Sequence, residues 1–214
     1  MSKTVTPAGG EWRSSALCRK YLLVVLANVP TTVVEGEHVN GYVLRWGVGV
    51  LSDGEREFLG VWHEPDSKAR VWRAIADDLK TRGVEDNRVV VGSDPTGIKG
   101  AMRASYPGVI AMPAIGDGLS IPLEHLGLIG VFALRHRSIL RKAVGAIGRA
   151  NEGLNRTVTR RGCFADLTTA SSFVVNRIAR AERDFSTFGV NAFGGPAHPA
   201  ARAVEMSHSA PLGV

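Results

Sequence analysis

Cysteines and long apolar stretches are scarce in this chain of 214 residues. Its two cysteines, Cys18 and Cys163, are too few for a disulfide scaffold or a four-thiolate zinc site, so we interpret both as ordinary cytosolic thiols. No run of about 18 apolar residues exists, which excludes a membrane-spanning helix. The first 19 residues are polar and do not resemble a signal peptide. These absences predict a cytoplasmic protein with no membrane partner.

Motifs for several common kinds of site are also missing. The six histidines show no close ligand spacing, and neither cysteine has a neighbouring metal ligand. Gly97–Gly100 lacks the spacing of a phosphate-binding loop. No Ser–His–Asp or Cys–His arrangement can be assigned. Zinc, phosphate-loop and nucleophilic chemistry are therefore not predicted.

Acidic residues are rare between Phe132 and Arg183, where eleven basic residues face three acidic ones. The whole chain has 26 basic and 20 acidic residues, so its net charge of +6 comes from this segment. Ten of the eleven are Arg, which suits bidentate contact with phosphate. The candidate nucleic-acid contacts are Arg135, Arg137, Arg141, Lys142, Arg149, Arg156, Arg160 and Arg161. Composition alone leaves DNA contact and a merely solvated helix face as equal alternatives.

Hydrophobic patterning predicts an α/β fold. The predicted strands are Tyr21–Leu26 (ended by Pro30), Tyr42–Leu51, Arg56–Trp62, Arg88–Val91 and Val109–Met112, with an Asp-Gly hairpin at Ser52–Glu55. The predicted helices are one that starts at Pro65–Ser67 and stops at Gly83, a short one at Gly97–Ala104, and long ones at Phe132–Gly148 and Leu167–Phe185, the last capped by Asp166.

The order of these elements is typical of a ribonuclease-H-like mixed sheet with flanking helices, although other α+β layouts share it. We expect a flexible segment at residues 1–19, a shortened core at 20–185 and a poorly ordered tail with Gly and Pro at 186–214. Residues 114–130 show no clear period and are predicted to be loop.

Two carboxylates stand out. Asp94 directly follows a predicted strand, at the edge where ligands gather in α/β folds. Glu152 lies among the arginines, where it is a metal ligand or, more commonly, an ion-pair partner.

Two blocks of sequence carry a family resemblance. The first comprises Trp46–Val50, Asp53-Gly54, Phe58–Trp62, Trp72, Asp78–Val84, Val90–Asp94 and Gly97–Gly100, and the second comprises Glu152–Asn155 and Thr159–Phe164. Together they resemble the mutator-type transposases of bacterial insertion sequences, a DDE family with a ribonuclease-H-like core. Asp94 and Glu152 match its second and third catalytic, metal-binding carboxylates. Ala27 and Asn28 stand where the first Asp belongs.

The resemblance implies metal-dependent DNA cleavage and strand transfer at element ends, with Mg²⁺ or Mn²⁺ as cofactor. It implies DNA as the partner and leaves self-association open. We expect Asp94 and Glu152 to lie close together. The missing first Asp, the absent N-terminal DNA-binding region and the short Asp94–Glu152 interval indicate a truncated remnant that does not transpose DNA.

Three hypotheses follow. They are a transposase-family protein, active or decayed; a basic DNA-binding module without chemistry; and an interaction fragment with a solvated basic face. Metal-dependent strand cutting separates the first from the second, and salt-sensitive DNA binding separates the second from the third.

Overall fold

The computed structural model describes residues 15–18, 20–63, 68–114 and 134–186. These residues form the strands β1 (Lys20–Glu35), β2 (His38–Val50), β3 (Arg56–His63), β4 (Asp86–Gly92) and β5 (Ile110–Pro113), and the helices α1 (Lys68–Thr81), α2 (Pro95–Met102), α3 (Leu134–Arg161) and α4 (Leu167–Ser186). Most of the flexible segment predicted at residues 1–19, of the loop predicted at 114–130 and of the tail predicted at 186–214 lies outside the described residues, as does the helix start predicted at Pro65–Ser67. Within the described part of the chain, no helix is long and apolar enough to cross a membrane.

The five strands form one sheet in the order β3-β2-β1-β4-β5. β1 pairs antiparallel with β2, and β2 pairs antiparallel with β3. β4 runs parallel to both β1 and β5. The prediction of an α/β fold with a mixed sheet and flanking helices is confirmed.

The prediction that Pro30 ends the first strand is wrong, because β1 continues to Glu35. Beyond Val25, β1 is no longer paired with β4. The Val34 N–H and the Thr32 carbonyl bond to Phe164 on this side of β1, away from β2. By strand alternation the nitrogen of Pro30 faces the same side, so proline removes no bond between β1 and β2.

The predicted hairpin at Ser52–Glu55 is confirmed between β2 and β3. Gly54 has φ of 94°, a left-handed conformation that glycine adopts without strain. The Asp53 carboxylate accepts a hydrogen bond from the Glu55 N–H at 2.9 Å. Leu51 and Glu55 close the turn, with the Leu51 N–H donating to the Glu55 carbonyl at 2.9 Å.

Helices cover both faces of the sheet. On the face that we call the α1 face, Val24, Leu26 and Val90 pack in one core with residues of α1 and α2. On the opposite α3 face, alternate strand residues such as Leu23 and Val25 pack with α3 and α4. Because both faces of the sheet are buried under helices, the central strands are almost continuously apolar.

Side chains of the first sequence block connect α1 to β3. The Asp78 carboxylate accepts hydrogen bonds from Arg82 Nη1 and Trp62 Nε1, both at 3.2 Å. Arg82 Nη1 also donates to the Leu59 carbonyl, which belongs to a fully buried residue. α1 ends at Thr81, and Gly83 follows with φ of 101°, the left-handed conformation typical of the residue after a helix. The predicted stop at Gly83 is confirmed.

The long helices carry the basic segment. The prediction that the first of them ends at Gly148 is wrong: α3 continues to Arg161, because Leu154 and Val158 extend its buried stripe at helical spacing. α4 begins where predicted, and the Asp166 carboxylate caps it by accepting from the Thr169 N–H at 2.6 Å.

Candidate functional site

Asp94 lies at the junction between β4 and α2. Pro95 begins the helix, a position where its missing N–H costs nothing. Asp94 is the N-cap, and its Oδ1 accepts from the Gly97 N–H at 2.9 Å. Its Oδ2 accepts from Trp72 Nε1 of α1 at 3.2 Å. Both carboxylate oxygens therefore serve the packing of α2 against α1.

Gly97 is required by the closeness of this packing. A Cβ on Gly97 would lie 2.2 Å from Asp94 Oδ2 and 3.0 Å from Trp72 Cδ1. Any side chain there would displace the capping carboxylate. The Gly of the Gly-x-Lys-Gly motif thus has a steric role beside Asp94.

Asn28 contacts Ser93, the residue that precedes Asp94. The parallel pairing of Val25 with Val91 brings the next residues of β1 alongside the end of β4. Asn28 Nδ2 donates to Ser93 Oγ at 2.7 Å. Within the described residues, its Oδ1 is buried and has no hydrogen-bond partner.

Arg45 is a functional candidate that the sequence interpretation missed. It is directly opposite Asn28 in the β1–β2 register, so both side chains lie on the α1 face. Arg45 is only 3% exposed, and its guanidinium lies 4.7 Å from the centroid of the Trp72 ring. The signal that could have identified Arg45 is a single charge within the apolar run Tyr42–Leu51.

Glu152 is exposed on α3, which packs on the opposite face of the sheet from α1 and α2. The preceding residue, Asn151, is buried and accepts a hydrogen bond from Trp46 Nε1 at 3.0 Å. Trp46 pairs with Ala27, so this turn of α3 lies near the middle of β1, beside the residue that precedes Asn28. The closeness of Asp94 and Glu152 stays a prediction.

These residues do not fit a pair of divalent metal ions. Among the residues that the structure describes, no three His, Cys, Asp or Glu side chains come together as metal ligands. Asp94 uses both oxygens for hydrogen bonds, and Asn28 offers one neutral oxygen instead of a carboxylate. A two-metal centre needs several carboxylates to offset its charge.

The predicted DNA contacts form a linear arrangement on α3. Lys142, Arg149, Arg156 and Arg160 are exposed, and the first three recur every seven residues, which keeps them within about 20° of one line per step. At 1.5 Å per residue, these four residues span about 27 Å. We call them the α3 stripe. Glu152 lies between Arg149 and Arg156 along the helix but to one side of this line.

The other predicted contacts differ. Arg141 is exposed but lies about 100° around the helix from Lys142. Arg137 is half-buried, and the side chain of Arg135 is not among those that the structure describes. Arg161 is exposed, yet its guanidinium lies 4.7 Å from the ring centroid of Phe164 and 4.9 Å from that of Phe173. Arg161 therefore has a packing role besides any contact with DNA.

The Arg-Gly-x-Phe motif joins α3 to the sheet. Gly162, with φ of 84°, ends the helix. Phe164 then bonds to β1, accepting from the Val34 N–H and donating to the Thr32 carbonyl, each at 2.9 Å. The motif thus fixes the C-terminal end of α3 against β1.

Both cysteines are free thiols, as predicted. Burial, reinforced by Glu57, raises the pKa of the Cys18 thiol to about 12. Cys18 is consequently protonated at neutral pH and is not a nucleophile.

Comparison with known proteins identifies the family. The family model described as "Transposase, Mutator family" matches residues 1–112, about half of the chain. The chain belongs to the mutator family of transposases. This match includes Asn28, Arg45 and Asp94 and ends before α3.

Curated relatives are named as transposases of insertion sequences. The transposase for insertion sequence element ISRM3 of Rhizobium meliloti is 28% identical over 152 residues, which are 71% of this chain and 36% of that protein. A probable transposase for an ISRM3-like element of Sinorhizobium fredii is 30% identical over 148 residues, 69% of this chain and 36% of that protein. The transposase for IS256 in Tn4001 of Staphylococcus aureus is 24% identical over 110 residues, 51% and 28% of the two chains. The chain thus spans about a third of the length of the curated relatives that it matches.

Proposed function

We propose that this mutator-family chain binds DNA through the α3 stripe and is an impaired relative of enzymes that cut and join DNA at insertion-sequence ends. The observation that carries the DNA-binding part is the stripe itself, four exposed cations in line over about 27 Å. Such a row of charges contacts the phosphate backbone without reading sequence.

The topology supports a ribonuclease-H-like catalytic core as part of this proposal. β1 lies at the centre of the sheet, with β2 antiparallel on one side and β4 parallel on the other. Asn28 lies in β1 just beyond the part that pairs with β4, and it contacts Ser93, which precedes Asp94 after the end of β4. The family resemblance assigns its first two carboxylates to this corner.

Impairment is supported by the side chains at that junction. Mg²⁺ or Mn²⁺ binding by Asp94 and Glu152 stays a prediction of the family resemblance, and when bound such an ion would polarise phosphate oxygens. With Asn28 in place of an acidic ligand, we expect the ion to bind too weakly to support cleavage.

Salt dependence tests the DNA-binding part. Four phosphate contacts predict a slope of about −3.6 for log Kobs against log salt, or a loss of roughly a hundredfold in affinity between 50 and 200 mM salt. The double variant Arg149→Gln/Arg156→Gln should reduce the slope by about two. The matched control, Arg73→Gln/Lys99→Gln, removes two exposed cations from α1 and α2 and should leave the slope unchanged. Equal slopes for the two double variants would refute the role of the stripe.

A strand-cleavage assay tests the impairment and the alternative. The substrate is DNA with the element's terminal repeats, in Mg²⁺ or Mn²⁺, and we expect no cleavage. Robust cleavage that disappears in Asp94→Ala and Glu152→Ala would show an active transposase centre. DNA binding without cleavage would also be explained by the alternative, a non-catalytic DNA-binding module.

A further inference from the structure

A buried positive charge lies where the family resemblance places a metal centre. Arg45 is 3% exposed and lies directly opposite Asn28 on the α1 face. A buried guanidinium needs local compensation, because moving a charge out of water is costly. The groups near this guanidinium include the Trp72 ring, Asp94 and Asn28.

One indole connects the charge to Asp94. The Arg45 guanidinium lies over the face of the Trp72 ring, 4.7 Å from the centroid, and Trp72 Nε1 donates to Asp94 Oδ2 at 3.2 Å. Trp72 is fully buried, so it holds both contacts in a fixed geometry. The electron-rich face of the ring attracts the cation, while its N–H edge binds the carboxylate.

The oxygen of Asn28 completes this corner. Asn28 Nδ2 donates to Ser93 Oγ, which leaves the buried Oδ1 as an acceptor without a partner among the described residues. An unpaired buried oxygen favours a cation or a hydrogen-bond donor nearby. Arg45, from the position directly opposite, brings a cation to the same face of the sheet without forming a hydrogen bond to this oxygen.

We propose that Arg45 is an internal cation that takes the place of the divalent metal at the corner formed by Asn28, Ser93 and Asp94. The proposal rests on the proposed function in treating Asp94 as the family's metal position. The corner then needs no metal ion to fold, and Arg45 opposes metal binding by repulsion. The two contacts through Trp72 place the Arg45 guanidinium no more than about 10 Å from Asp94 Oδ2. At that separation and an effective dielectric constant of about 20, a unit positive charge weakens binding of a divalent cation by roughly a hundredfold.

Mn²⁺ affinity measures this repulsion directly. The electron paramagnetic resonance signal of free Mn²⁺ is titrated against the full chain, without DNA. The variants are Asn28→Asp alone, Asn28→Asp/Arg45→Met and Asn28→Asp/Arg45→Lys. Met keeps the apolar stem and removes the charge, whereas Lys keeps a charge and removes the planar guanidinium. Circular dichroism checks that each variant is folded.

We expect the Arg45→Met double variant to bind Mn²⁺ at least tenfold more tightly than either the Asn28→Asp variant or the Arg45→Lys double variant. Adding Asp94→Asn should remove that gain. Equal affinity of the Met and Lys double variants would overturn the proposal, since a purely packing role of Arg45 predicts that result. Submillimolar, Asp94-dependent binding by the unmodified chain would overturn it as well.

If Asn28→Asp/Arg45→Met does not fold, the single variant Asn28→Asp tests whether Arg45 opposes metal binding. Submillimolar binding with Arg45 in place refutes the internal cation, and binding as weak as in the unmodified chain supports it. DNA affinity is measured separately in metal-free buffer. If the unmodified chain showed no salt-dependent DNA binding, the proposed DNA-binding function would be refuted, whereas the interpretation of the Mn²⁺ affinities would not change.

Discussion

Replacing Arg82 by Ala should lower the stability of the fold markedly. Arg82 belongs to the Asp78–Val84 motif of the first sequence block, and its side chain is only 5% exposed. It donates to the Leu59 carbonyl and to the Asp78 carboxylate, and its Nε donates to the Ser15 carbonyl at 3.0 Å. The substitution would leave these acceptors without their donor.

The contacts set the size of the effect. Removing one partner of a buried charge pair costs about 3–5 kcal/mol. Asp78 is 30% exposed, so solvent offsets part of this, and we expect Arg82→Ala to cost about 3 kcal/mol. Most of that cost should come from the Leu59 carbonyl, which is buried and cannot turn to water.

Urea denaturation of the full chain measures the change in unfolding free energy. Arg73→Ala, at an exposed position on α1, the helix that Arg82 follows, is the matched control and should change the unfolding free energy by less than about 0.5 kcal/mol. Combining Arg82→Ala with Asp78→Ala should give a coupling energy of only about 1 kcal/mol. A cost below about 1 kcal/mol for Arg82→Ala would refute the structural interpretation of this motif.

Three further predictions concern other parts of the fold. Hydrogen bonds from Thr169 lower the pKa of Asp166. The Asp166 carboxylate therefore stabilises the fold above about pH 4, and this stabilisation is lost as the pH falls through the lowered pKa. The urea midpoints at pH 5 and pH 3 should differ less in Asp166→Ala than in the parent chain. Arg161→Ala should cost about 1 kcal/mol of stability through its two aromatic contacts, whereas Arg160→Ala should leave stability unchanged and lower the salt slope of DNA binding by about one. Gly49→Ala should cost about 1–3 kcal/mol in the same denaturation assay, because its Cβ would lie 2.3 Å from the ring of Tyr21.

Local pattern was sufficient to predict the order of the strands and helices. The Asp-Gly turn predicts the β2–β3 hairpin, and the Asp166 cap predicts the start of α4, since both signals act within a few residues. The bounds of β1 were harder to predict. Proline normally ends a strand, and only the positions of β4 and Phe164 show that Pro30 faces an unpaired edge.

The candidate site depends on contacts between residues far apart in sequence. Asn28, Arg45, Trp72 and Asp94 come from two strands, a helix and a junction, and no spacing along the chain joins them. Their proximity follows from the β1–β2 and β1–β4 registers. Register depends on the packing of the whole sheet, so sequence reasoning identified Asp94 and Asn28 but not Arg45.

The structural roles of the shared motif residues are compatible with both the family membership and the weak metal binding that we propose. Arg82, Gly83 and Gly97 maintain the contacts among α1, α2 and β3, and a change at any of them would disturb folding. Asn28 faces a different constraint, because an amide fits the corner beside Ser93 without distorting β1. The match over residues 1–112 establishes the family. Metal binding at the corner of Asn28 and Asp94 is a separate proposal, and the Mn²⁺ titration of the Arg45 variants tests it without reference to the family match.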